Sequence, residues 1–295
     1  MATTARPAAT GKQLLRVAEF DLEGNLDGGQ AFRWWRDNDG YRGVIGRSVV
    51  RISPATEGLL VEALAGEPCD EEDVSHYLGL DADLDALRNR YAHDPALGPA
   101  MTGYMGLRLL RQDPWECLCA FVCSATSNIP RIKLNMGALA GALGERIGPG
   151  PHDFAFPGPE AVAGAGEQAI RDLGWGFRAK YLAEAAEAVV AGRLRLRDLS
   201  AVPYPEALAE LTALNGVGEK IADCVLAFSL GHGLAFPVDR WVRRAMEEWY
   251  GMPPGIKASE VSRHAREWFG SDAAYVQQYL FHRQRLVARA VQRGE

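Results

Sequence analysis

Between residues 13 and 65 the apolar positions alternate with polar ones. Phe32, Trp34, Tyr41, Ile45, Val49, Val50 and Ile52 flank an Asp37-Asn38-Asp39-Gly40 turn. A period of two in aromatic and β-branched residues, punctuated by Asn, Asp and Gly, predicts an antiparallel sheet built of hairpins. From Glu71 the apolar spacing lengthens to three and four, which predicts helices. Asp81-Ala82-Asp83-Leu84 opens one that runs to about Tyr91, and Gly98-Pro99 predicts a break. Asp113-Pro114-Trp115-Glu116 predicts a sharp helix start, with Asp113 as cap, Pro114 at the first helical position and Glu116 completing a capping box. That helix carries Leu118, Phe121 and Val122 into the core. It stops at Ser124-Ala125-Thr126-Ser127-Asn128, whose side chains compete for backbone hydrogen bonds. Further helices are expected over 129–143, on both sides of Gly174-Trp175-Gly176-Phe177-Arg178, and over 241–249, 259–269 and 272–291. The fold class is α+β: an N-terminal antiparallel β-sheet domain followed by a mostly α-helical core. We divide the chain into a disordered lead (1–12), a sheet domain with helices (13–98) and a helical core of two subdomains (99–295).

Within that core, residues 207–231 read as helix, tight glycine turn, helix. Two apolar-periodic segments flank Asn215-Gly216-Val217-Gly218. Glycine takes positive φ without strain, so the chain can reverse closely there. The second helix then presents free backbone N–H groups at its start, a ready phosphate site. Lys220 lies in the first turn of that helix, and Asp239 follows Phe236-Pro237-Val238. Taken singly, each feature has an ordinary reading: a turn, a solvated lysine, a helix N-cap. Their combination is what points to chemistry.

At 295 residues, with 47% hydrophobic and 24% charged residues, the chain can bury a sizeable core. No window approaches about eighteen uncharged apolar residues, so no transmembrane helix is expected. The start, MATTARPAATGK, lacks the apolar core of an export signal, which makes the cytoplasm the default location. The net charge of −6 argues against nucleic acid as a partner unless basic residues gather on one face. Arg131 with Lys133, Arg178 with Lys180, Arg240 with Arg243 and Arg244, and the C-terminus from Arg283 are the candidate clusters, although any one of them fits a solvated helix face better. The five cysteines are an odd number without a secretion signal, so no disulfide framework is expected. Cys117, Cys119 and Cys123 share one predicted helix at spacings that do not share a face, so they make no metal site.

The hairpin, Lys220 and Asp239 resemble the signature of the helix-hairpin-helix DNA glycosylase superfamily. Further motifs narrow the resemblance to 8-oxoguanine DNA glycosylases with AP lyase activity: Gly29-Gln30-Ala31-Phe32-Arg33-Trp34, Leu109 to Pro114, Phe121 to Ser124 with Asn128 to Arg131, and Leu173 to Tyr181. It spans about residues 18–285. The endonuclease III-like and adenine glycosylase branches usually carry a four-cysteine iron–sulfur site near the C-terminus, whereas no cysteine follows Cys224 here. The resemblance implies an N-terminal antiparallel sheet and two helical domains, as the periodicity does. It also implies a nucleophile, Lys220, an essential carboxylate, Asp239, and a base pocket of Gly29, Cys224, Gln277 and Phe281. In the family the glycine carbonyl accepts the N7–H that 8-oxoguanine has and guanine lacks, a buried polar match that discriminates strongly. Because a base inside a duplex cannot be reached, it must be flipped out and its place filled. Phe177 matches the wedge, Arg131 and Arg178 match readers of the orphaned cytosine, and Thr126, Asn128, Gly216, Val217 and Gly218 match further DNA contacts. The chain departs from the family at Asn215, where Pro is usual, at Thr126, where an Asn enters the gap, and at Trp241, where close relatives have a His.

The expected reaction is nucleophilic covalent catalysis, with a lysine Schiff base followed by β-elimination. At the reference pKa of about 10.4, about one lysine in 2,500 is neutral at pH 7. A helix N-terminus and partial desolvation both favour the neutral amine. The expected partner is double-stranded DNA containing 8-oxoguanine, bound by a monomer with no cofactor, no metal and no membrane. Hairpin carbonyls can hold a monovalent cation in relatives. Two functional alternatives remain at this level, beside the plain one of an acidic helical protein whose Gly-Val-Gly is only a turn. The first is a glycosylase for another oxidised or alkylated base, although the alkyl-purine branch generally lacks the lysine, and Gly29 and Phe281 speak against the pyrimidine branch. The second is a hairpin module that binds DNA without turnover.

Overall fold

The computed structural model describes residues 11–293. Residues 1–10 of the expected lead lie outside the described residues, and Lys12, placed at its end, instead opens the first strand. Five antiparallel strands, β1 (Lys12–Arg16), β2 (Trp34–Asp37), β3 (Gly40–Ile45), β4 (Ser48–Ala55) and β5 (Gly58–Gly66), form one sheet in the order β1-β5-β4-β3-β2. Strands β2 to β5 are joined by two-residue turns, whose registers close at Asp37↔Gly40, Ile45↔Ser48 and Ala55↔Gly58. Asn38 at φ 55° and Gly46 at φ 58° supply the left-handed residues that such tight hairpins need. A bulge between Val49 and Val50 lets both neighbours be buried.

The helices are α1 (Leu22–Leu26), α2 (Glu71–Tyr77), α3 (Leu84–Arg90), α4 (Leu97–Gly103), α5 (Pro114–Cys123), α6 (Ile129–Leu143), α7 (Pro159–Ile170), α8 (Arg178–Val190), α9 (Tyr204–Thr212), α10 (Glu219–Phe228), α11 (Arg240–Tyr250), α12 (Ala258–Phe269) and α13 (Ala273–Arg293). Helices α1 and α2 pack against the sheet through Leu26 and Val74, and the others fill two separate cores among the described residues. One joins apolar residues of α5 to α10, among them Leu118, Leu182, Leu211 and Val225. The other joins α3 and α4 to α11, α12 and α13 through Leu87, Leu97, Met246, Phe269 and Leu280. The break expected at Gly98-Pro99 is therefore not one: both residues lie in α4, whose Leu97, Ala100 and Met101 pack with the C-terminal helices. Proline is tolerated in a first helical turn because the N–H it lacks would find no intrahelical partner there.

Asp113 caps α5 as expected, its Oδ1 accepting from Trp115 N at 2.9 Å and Glu116 N at 3.2 Å, with Pro114 in the first turn. Glu116 does not complete a capping box. Its carboxylate turns to the buried guanidinium of Arg33, at 2.8 and 3.2 Å, while Arg33 also donates to Phe154 O at 2.8 Å. A charge taken out of water needs an opposite charge more than a backbone N–H needs a second acceptor. Removing one partner of such a pair costs roughly 3–5 kcal/mol. The bond clamps the sheet domain to α5.

Candidate active site

Helices α5 and α10 lie side by side in opposite directions, so the C-terminus of one meets the N-terminus of the other. At the far end Gln112 N donates to Phe228 O at 3.0 Å. At the near end the half-buried Lys220 donates from Nζ to Ser124 Oγ at 3.0 Å and stands 5.4 Å from the centre of the Phe121 ring. The hairpin turn places Lys220 there. Gly216 adopts φ 80°, and a Cβ on it would come within 2.3 Å of the Tyr181 ring, so the conformation and the close approach both demand glycine. Val217 is buried beneath the turn. Gly218 sits at the N-cap of α10 without a side-chain cap, and a Cβ there would meet nothing. The tip is open, and among the described residues no side chain caps its helix N–H groups. Asn215 bonds Glu184 Oε2 at 3.1 Å, using its amide where Pro would have none.

Asp239 caps α11. Its Oδ1 accepts from Trp241 N and Val242 N, both at 2.9 Å, which leaves Oδ2 uncommitted to the cap. Burial raises its pKa, against the lowering effect of the Val242 N–H and of the nearby Lys220 ammonium. The buried Cys224, one turn beyond Lys220, is pushed up to about 12, chiefly by burial, and so is a neutral thiol. Gln277 and Phe281 lie one turn apart on α13. Gln277 Nε2 donates to Pro237 O at 3.2 Å, and its buried Oε1 has no partner among the described residues. A Cβ on Gly29 (φ 108°) would fall 2.9 Å from Ile129 Cδ1 and 3.6 Å from Phe281 Cε1, so the glycine backbone lies against the phenylalanine ring. The neighbouring Gln30 pins that loop, donating to Arg108 O at 2.7 Å and accepting from Leu110 N at 3.0 Å.

A second cluster surrounds the exposed Phe177, which is 50% accessible. Its loop is anchored by the fully buried Trp175 and turns through Gly174 (φ 86°) and Gly176 (φ 58°). Asn135 and Arg131 hold Gly174 O at 3.0 and 3.3 Å. Arg178 stacks on Phe177, 4.7 Å from its ring centre, and donates to Ala125 O, Thr126 O and Thr126 Oγ1 at 2.6, 3.1 and 3.2 Å. Asn128 caps α6 by accepting from Arg131 N at 3.0 Å.

Residues 13–118 match the N-terminal domain of 8-oxoguanine DNA glycosylase, and residues 119–271 match the HhH-GPD superfamily of base excision DNA repair proteins. The chain is 34% identical to the N-glycosylase/DNA lyase OGG1 of Arabidopsis thaliana, over 77% of this chain and 66% of that protein. It is 30% identical to the N-glycosylase/DNA lyase of Saccharomyces cerevisiae, over 81% and 71%. It belongs to the 8-oxoguanine DNA glycosylase family. The chain spans about two thirds of the length of the first of these relatives. Its fold matches the 8-oxoguanine glycosylase/lyase of Clostridium acetobutylicum, solved with double-stranded DNA containing cytosine opposite 8-oxoguanine, with a TM-score of 0.85 and 32% identity, over 91% of this chain and 93% of that one.

Seen as a member of this family, the chain gathers Lys220, Asp239, Cys224, Gln277, Phe281 and Gly29 where its two helical cores meet the sheet domain. Thr126, Asn128, Arg131, Phe177 and Arg178 form a neighbouring rim. Several of the basic clusters are internally neutralised: Lys133 by Asp27 at 2.8 Å, Lys180 by Glu184 at 3.8 Å and Arg244 by Glu248 at 2.6 Å. Arg131 and Arg178 instead bond backbone carbonyls, so their charge is not cancelled by those contacts. Among the described residues no group of three His, Cys, Asp or Glu side chains could hold a metal ion, and no helix is long and apolar enough to cross a membrane.

Sequence reasoning missed two residues, one in contact with Lys220 and one on its helix. Ser124 was legible only as a helix terminator. Asp223, three residues after Lys220, reads as a polar position in an otherwise buried helix, the one signal that could have found it. It is fully buried and accepts from Tyr204 OH at 2.7 Å, Ser262 Oγ at 3.4 Å and the backbone N–H of Phe236. It thus ties α10 to the segment that leads to Asp239. Burial pushes its pKa from 3.8 up to about 7. Between those values the folded protein holds a proton that the unfolded chain releases, so this carboxyl makes stability fall as pH rises from about 4 to 7, with no further change above. Asp223→Asn should remove that slope. The difference in unfolding free energy between wild type and variant, followed by urea titration from pH 4 to 8, should change by on the order of 4 kcal/mol. A pH-independent difference would mean that Asp223 is charged throughout.

Proposed function

We propose that this chain excises 8-oxoguanine from duplex DNA as a bifunctional glycosylase and AP lyase. One observation carries the reading: a lysine amine at an uncapped helix N-terminus, beside a buried carboxylate and the buried Cys224. In the flipped-out nucleotide, the neutral Lys220 Nζ bonds to C1′ as the C1′–N9 bond breaks, and the base leaves with that electron pair and gains a proton. The Asp239 carboxylate balances positive charge developing on the sugar, which a low-dielectric site makes effective. Nζ then gives up a proton, and its electron pair expels O4′, which takes a proton as the ring opens to the iminium. Loss of a C2′ proton then expels the 3′ phosphate with the C3′–O electron pair. Phe281 and Cys224 bracket the base, the unpaired Gln277 Oε1 takes a donor on its edge, and the Gly29 carbonyl accepts N7–H. Phe177 fills the gap, Arg131 and Arg178 face the orphaned base, and Gly216 and Gly218 offer N–H groups to a phosphate, the Val217 N–H being given to Leu214 O at 3.1 Å.

Borohydride trapping tests this on a labelled duplex carrying 8-oxoguanine opposite C, A, G or T. A covalent band opposite C is expected, and its strength opposite the other bases reports what Thr126 contributes in place of Asn. Released base with no band would make the enzyme monofunctional. Neither band nor base would overturn the substrate.

A further inference from the structure

Ser124 is a two-sided contact. Its Oγ–H donates to Phe121 O at 2.7 Å, and a hydroxyl has one proton to give. Toward Lys220 it can therefore only accept, which it does at 3.0 Å. This bond fixes Nζ through one of its hydrogens, whether the amine is charged or neutral, and leaves the lone pair of the neutral form outside the contact. The same serine opens a tight turn. Ser127 N donates back to Ser124 O at 3.1 Å, and Thr126 takes the left-handed conformation at φ 50°, which a β-branched residue adopts only under constraint. The constraint is Arg178, whose guanidinium grips Ala125 O, Thr126 O and Thr126 Oγ1. Within the turn, Ser127 Oγ is buried with no partner among the described residues. A strained residue and an unpaired hydroxyl held by one external arginine describe a segment that can rearrange when that arginine is drawn to something else.

We propose that the 124–127 turn connects the two halves of the site: Ser124 is a positioning residue through which contacts at Thr126 and Arg178 set the placement of the Lys220 amine. This rests on the glycosylase reading, in which Arg178 and Thr126 face the base opposite the lesion. The identity of that base then alters the chemical step as well as binding. A base that competes for the Arg178 guanidinium loosens the turn, and Ser124 carries the change to the nucleophile. The link is a contiguous chain of contacts from the rim to Nζ.

The test is single-turnover excision by the full chain on 8-oxoguanine opposite C, A, G and T, set beside equilibrium affinity for duplexes holding an uncleavable abasic analogue opposite the same four bases. Ser124→Ala should slow excision opposite the preferred base about tenfold, equivalent to about 1.4 kcal/mol, and compress the rate ratios among the four bases toward one. The affinity ratios should stay as in wild type. Ser124→Thr, which keeps the oxygen, should restore both the rate and the ratios. Ser124→Gly, which removes the same oxygen with a different effect on the backbone, should behave like Ser124→Ala. An equal slowing on all four substrates would reduce Ser124 to a local contact and overturn the coupling, as would affinity ratios that collapse in parallel with the rates, or unchanged rates. A wild-type protein that neither releases base nor forms a trapped band would overturn the glycosylase reading, and the coupling with it. A wild type that traps normally confines any failure to the coupling.

Discussion

Lys220→Gln should abolish the borohydride-trapped adduct altogether and slow base release by at least about 10³-fold, because no other group at this position can form and later release a bond to C1′. The variant is well suited to the question. Glutamine reaches nearly as far as lysine and can still donate to Ser124 Oγ, so the contact that holds the end of α5 against the start of α10 survives. The amine's proximity to the Phe121 ring is lost, which matters little for the fold because Phe121 is itself buried in the larger helical core. Affinity for a lesion duplex should fall only slightly, by the loss of one positive charge, and most visibly at low salt. Three measurements separate the possibilities: trapping, single-turnover release of base, and affinity for the uncleaved duplex. An adduct that persists in the variant would move the nucleophile elsewhere. Loss of binding in parallel with turnover would make Lys220 a phosphate contact and the protein a binding module.

For Asp239→Asn, excision should fall about 10²–10³-fold while the fold stays intact. This substitution separates the helix cap that Asp239 makes from the charge role proposed for it. As an N-cap its Oδ1 accepts from Trp241 N and Val242 N, and asparagine caps helices about as well as aspartate. What asparagine lacks is the charge. Burial has raised the pKa of Asp239, so the carboxylate is already held at some cost in the native state, an arrangement that stability alone does not require. The cost is offset when positive charge develops on the sugar beside it. A thermal midpoint near that of wild type together with a large loss of rate would assign the charge to the reaction. A large drop in midpoint with unchanged rate per folded molecule would assign Asp239 to the helix cap alone. The acid limb of the wild-type pH–rate profile should lie above the ordinary carboxylate range, in keeping with the raised pKa, and should be missing from the variant.

Much of this architecture is visible in local pattern. The hairpin around Asn38, the Asp83 and Asp113 helix caps, and the termini of α6, α11 and α12 fall within a residue or two of their sequence signals, because each depends on a few neighbouring residues. The glycine turn of the hairpin is legible for the same reason, with positive φ at Gly216. Signals failed where a long-range partner outbid a local one. Glu116 had a capping box within reach and took the buried Arg33 instead. Gly98-Pro99 looked like a break, yet α4 runs through it because Leu97 and Met101 are needed in the C-terminal helical core.

The sequence by itself determined the element types and the turn chemistry and singled out Lys220 and Asp239 as candidate groups, since backbone conformation and side-chain chemistry are properties of short stretches. Only the tertiary structure decided that α3 and α4 would join the chain's far end, and that Gly29 from the sheet domain would lie against Phe281. The same holds for Ser124, placed at Lys220, and for the carboxyl of Asp223, set to hold the segment before Asp239. Each is a contact between residues distant in the chain. Such contacts are set by which apolar faces can be buried together, and the polar partners follow from the geometry that burial imposes.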